Sequence, residues 1–79
     1  MSAAKFERIG DLTIADVAPL DWRYQIDKWD RAFVIWLFSR DHAAKEYRLL
    51  RRIGRASTLA EAKRIVSAQI ATDLEFVPE

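Results

Sequence analysis

The stretch that most constrains this chain is Trp22–Phe38, WRYQIDKWDRAFVIWLF, which holds all three tryptophans and ends in seven consecutive apolar residues. Side chains alternate along an extended strand. Ala32, Val34, Trp36 and Phe38 therefore share one face, and Phe33, Ile35 and Leu37 the other. Both faces are apolar, whereas a strand with one wet side would alternate. Ala32–Phe38 is thus expected to be the central strand of a sheet with something lying on each side. It is far shorter than the roughly 20 residues that span a bilayer, and no membrane association is expected.

The residues before it supply a partner strand. In Trp22–Ile26, Trp22, Tyr24 and Ile26 alternate with Arg23 and Gln25, the pattern of a half-buried strand. Asp27–Arg31 is polar enough to turn, so the two segments read as an antiparallel hairpin. Leu12–Ile14 is a short β-prone run between Gly10-Asp11 and Pro19. Thr58-Leu59-Ala60-Glu61 fits a capping box. Leu59, Ala62, Ile65, Val66, Gln69 and Ile70 then recur at helical spacing, with Glu61, Arg64 and Ala68 opposite, giving a one-sided helix from Leu59 to about Asp73.

Glu46–Ile53 fits two patterns. As a helix it would be capped by Asp41 and stopped by Gly54. As a strand it would pair back on Ala32–Phe38, placing Arg48, Leu50 and Arg52 on one face and Arg51 on the other. The strand is favoured, because a two-stranded hairpin alone makes a poor sheet. The expected fold is α+β: one domain over residues 1–79, with a three-stranded, mostly antiparallel sheet and one amphipathic C-terminal helix on one face. A single helix covers a single face. The other falls to the N-terminal segment Phe6–Val17, to a second copy in a homodimer joined through the apolar sheet face, or to a partner.

At 79 residues the chain buries only roughly 60% of the surface it exposes unfolded, so its core is thin. Without cysteine it has no disulfide or thiolate metal site to reinforce that core, and it is placed in the reducing cytoplasm. The N-terminus, MSAAKFERIG, lacks the apolar run of a secretory signal and reads as a native start.

Net charge is +1, but its distribution is uneven. Met1–Ser39 carries five Lys/Arg against six Asp/Glu, whereas Arg40–Arg64 carries eight against three, or +5. The arginines Arg48, Arg51, Arg52 and Arg55 are candidate binding residues, able to neutralise phosphates or to meet an acidic protein surface. Trp29, in a polar turn, is either packed on the sheet rim or an interface anchor, and Trp36 joins it as a candidate on the central strand.

Little here supports catalysis. The single histidine, His42, lies in the polar Arg40–Ala44 segment and reads as a solvated side chain; with Asp41 and Glu46 it makes a poor metal set. Asp27 and Asp30 read as turn residues. The two glycines, Gly10 and Gly54, are too far apart for a phosphate loop. No enzyme, cofactor or metal is expected.

The segment Ile53–Lys63, IGRASTLAEAK, following a hairpin that carries Trp-Arg-Tyr-Gln-Ile, resembles small sheet-plus-helix proteins of bacteria and their phages. Its helix start resembles one family of small phage-encoded anti-CRISPR proteins. The resemblance implies a non-catalytic binder of a host defence complex, and it transfers no functional residue. The expected function is therefore a small binding protein acting through protein contacts, an inhibitor that works by occlusion. The alternative is a small nucleic-acid-binding module using the Arg40–Arg64 basic segment.

Overall fold

The computed structural model describes residues 5–75, and these form one antiparallel sheet, one α-helix and a single 3-10 turn at Ala18–Leu20. The strands are β1 (Glu7–Ile9), β2 (Leu12–Val17), β3 (Trp22–Trp29), β4 (Ala32–Asp41) and β5 (Glu46–Ala56), and the helix α1 is Leu59–Leu74. Each strand pairs with the one before it, giving the order β1-β2-β3-β4-β5. The sheet thus has five strands rather than the expected three. Leu12–Ile14 is the start of a full strand, and Glu7–Ile9, too polar to show an apolar pattern, pairs with it across Gly10 and Asp11.

The four connections share one device. Each places one residue at positive φ: Gly10 (61°), Asp21 (52°), Asp30 (53°) and Lys45 (57°). Glycine and aspartate tolerate this left-handed region better than most residues, which lets the chain reverse in a few positions. The β3–β4 turn is tighter than expected. The strands stay paired out to Trp29 and Ala32, so Asp30 and Arg31 alone make the turn that was expected to span Asp27–Arg31. Glu46–Ala56 is a strand, as favoured, and longer than expected.

The capping box forms with a shift of one residue. The Thr58 hydroxyl accepts from the Glu61 amide at 3.1 Å, but the Glu61 carboxylate returns to the amide of Ser57, at 3.3 Å, rather than to that of Thr58. α1 buries Ala62, Val66 and Ile70, one per turn, and keeps Glu61, Arg64 and Ala68 exposed.

Beneath the helix lie Ala15 and Val17 of β2, Tyr24 and Ile26 of β3, Ile35 and Leu37 of β4, and Ala56 of β5. Fully burying a side chain of this kind contributes about 1.5–3 kcal/mol, so this layer is the main source of stability. Its residues all lie on one side of the sheet.

The segment Phe6–Val17 does not cover the other side. It adds strands to the sheet edge instead, because pairing satisfies its backbone amides and carbonyls and leaves it in the sheet plane. No helix among the described residues is long and apolar enough to cross a membrane.

Candidate binding face

The side of the sheet away from α1 carries Ala32, Val34, Trp36 and Phe38 of β4, flanked by Arg23, Gln25, Asp27 and Trp29 of β3 and by Tyr47, Leu49, Arg52 and Arg55 of β5. Among the described residues no second layer of secondary structure covers it. Its apolar centre is nonetheless part-shielded: Val34 is buried, and Ala32, Trp36 and Phe38 are half-buried. Long side chains from neighbouring strands provide the shield.

Arg52 holds its guanidinium 6.0 Å from the Trp36 ring centre. Arg23 donates from Nε to Asp16 Oδ1 at 2.7 Å and from Nη2 to Oδ2 at 3.2 Å, and stacks 4.3 Å from the centre of the Tyr47 ring. It therefore links β2 to β5 across β4. The hydrogen bond to Asp16 raises the Arg23 pKa and keeps it charged. Arginine stems shielding apolar surface while their heads stay wet explain how a strand apolar on both sides survives with a helix on only one.

At one end of this face is a shallow groove of about 700 Å³. Trp29, Trp36, Arg52 and Arg55 line it together with Val34, Arg31 and the carboxylate residues Asp30 and Glu61. Trp29 stands out into solvent at 62% exposure, a high value for so large an apolar side chain. Trp29, Trp36, Arg52 and Arg55 are thus brought together. Arg48 and Arg51 are not.

The division of the arginines differs from simple alternation. Arg48 pairs with Ser39 and Arg51 with Leu37, on the helix side, while Arg52 pairs with Trp36 and Arg55 with Val34, on the open side. Expected partners Arg48 and Arg52 are therefore on opposite faces. The register shift at Leu50 separates Arg48 from Arg52, and a second at Ile53 puts Arg55 on the same face as Arg52. Each gives β5 one residue more than β4, at Leu50 and at Ile53, and each extra residue reverses the alternation. The extra Ile53 uses its position to pack against the core.

Sequence reading also missed Tyr47, Leu49 and Leu50 as surface residues; they are 38%, 50% and 44% exposed. Tyr47 and Leu49 lie on the open side, away from α1, and Leu50 is the extra residue where β5 shifts register against β4. His42 points its Nε2 to Asp21 Oδ1 at 3.0 Å, both exposed, and so ties the β4–β5 loop to the β2–β3 loop.

No family model matches the chain, and neither a curated protein nor a solved structure is significantly similar to it.

Proposed function

We propose that this chain is a non-enzymatic binding protein, active in the cytoplasm, that holds a protein partner with an acidic surface on the open face of its sheet. One observation carries the reading: Trp29, Trp36, Arg52 and Arg55 converge on a single groove on the side that α1 leaves bare. Tryptophan and arginine are the residue types that dominate binding energy at protein interfaces. The tryptophans would anchor and the arginines orient the partner. The mode of action is occlusion. The resemblance at Ile53–Lys63 would make the partner a component of a host defence complex, and that part of the proposal rests on the resemblance alone.

Nucleic acid is the second reading, favoured by the Arg52–Trp36 stack, which resembles a platform for an unpaired base. Two features set it behind. Asp30 and Glu61 place carboxylates in the same groove, and the arginines divide between two faces instead of forming one track for a polyphosphate.

The test is affinity capture from host lysate with the wild type and with W29A and R52E/R55E variants, alongside gel shifts with single-stranded and duplex oligonucleotides at low and high salt. A protein captured by the wild type and lost by both variants supports the proposal. A salt-sensitive shift with no captured protein replaces it with the nucleic-acid reading, and retention of every partner by both variants removes the groove from consideration.

A further inference from the structure

β5 is the last strand of the sheet among the described residues, and from Glu46 to Arg52 every residue is exposed. A strand in that position offers a row of amides and carbonyls to any extended segment that approaches it. Native edge strands are guarded by charge, and Arg48, Arg51, Arg52 and Arg55 supply it. A guard alone would not leave Tyr47, Leu49 and Leu50 exposed beside them. Apolar side chains next to a free edge, with cations on both faces, are the features of a strand that receives another strand.

We propose that β5 binds an extended acidic peptide segment of a partner protein by strand addition along Glu46–Arg52. This deepens the protein-binding reading above and rests on it. Backbone hydrogen bonds to β5 would hold the segment, and its side chains would alternate between the two faces. Arg48 and Arg51 lie on one face and Arg52 and Arg55 on the other, so acidic residues on either side of the added strand meet an arginine. The apolar residues of the segment would cover Tyr47, Leu49 and Leu50.

Charge selects this occupant over the alternatives. Glu46–Ala56 contains one carboxylate and four arginines, so pairing with a second copy would concentrate positive charge along one seam. Among the described residues Arg48, Arg51, Arg52 and Arg55 form no salt bridge, so an acidic strand would not displace an existing ion pair.

The experiment uses the whole chain and three synthetic peptides: alternating glutamate and valine, alternating lysine and valine, and the glutamate–valine peptide N-methylated at alternate residues. Affinity is read by fluorescence anisotropy and contact by amide hydrogen exchange. The glutamate–valine peptide is expected to bind and to slow exchange in β5. N-methylation, which removes strand hydrogen bonds, is expected to weaken it by about ten-fold or more. The lysine peptide is expected to bind only a R48E/R51E/R52E variant.

Failure of the glutamate peptide to bind, or equal affinity after N-methylation, overturns strand addition. If the N-methylated peptide binds equally but W29A or R52E/R55E abolishes binding, the groove reading stands and the edge proposal falls. If a single-stranded oligonucleotide displaces the peptide and slows the same β5 amides more strongly, the ligand class is nucleic acid. Concentration-dependent self-association that slows β5 exchange without peptide assigns the edge to a second copy.

Discussion

The Tyr24 hydroxyl on β3 donates to the Asp73 carboxylate near the end of α1, joining residues 49 positions apart. It anchors the last turn of the helix to the sheet. Burial raises the Tyr24 pKa, and the bond to Asp73 raises it further, with Arg51 opposing. In the unfolded chain this tyrosine titrates near its ordinary value of about 10. Its folded pKa lies above that, so its contribution to stability is complete below about pH 10 and is lost as pH rises beyond it. Chemical denaturation across pH 8–11 should show a decline beginning near pH 10. Y24F should lower stability by about 1–3 kcal/mol at pH 7 and remove the part of that decline due to Tyr24.

Trp29 is exposed and serves no visible packing purpose. W29A is therefore expected to change stability by no more than about 0.5 kcal/mol while weakening capture of the partner. Urea unfolding and capture on the same preparation check both halves. A large loss of stability would return Trp29 to the sheet rim as a packing residue.

Ala62 is completely buried where α1 meets the sheet. A larger side chain there must lift the helix or force neighbours off their rotamers, so A62L is expected to cost about 1–3 kcal/mol. Thermal unfolding reads the cost. A neutral result would mean that the helix–sheet contact is looser than its burial implies.

Thr58 satisfies the Glu61 amide at the start of α1. T58A should cost about 1 kcal/mol, while T58S and T58D should retain most of the stability because each keeps an oxygen acceptor. Urea midpoints for the three variants test this, and equal losses for all would show that the hydroxyl does not act as a cap.

Much of this architecture was legible in the sequence. The alternation of Trp22–Ile26, the apolar run of Ala32–Phe38 and the three- and four-residue spacing from Leu59 to Ile70 are local patterns. Each reflects a period imposed by backbone geometry, and each reappears in the fold. β1 was not legible, because Glu7–Ile9 is held by pairing rather than by burial of an apolar face.

Of the candidate binding residues, the chemistry could be read and the grouping could not. Composition singled out Trp29, Trp36 and the arginines of β5. Strict alternation then put Arg48 on the face of Arg52, because the bulge at Leu50 that separates them depends on how β5 meets β4 and leaves no mark in β5 itself.

The sequence by itself determined that a strand apolar on both faces lies inside a small sheet and that a capped, one-sided helix covers one of those faces; the middle strand of the five is β3 rather than the expected Ala32–Phe38 strand. Only the tertiary structure decided what lies on the opposite face. Phe6–Val17 satisfies its backbone by extending the sheet, so that face remains open, shielded in part by Arg23 and Arg52. Periodicity records which sides of an element are apolar. Where each backbone hydrogen bond finds its partner is a choice made between segments distant in sequence, and that choice put Trp29, Trp36, Arg52 and Arg55 around one groove.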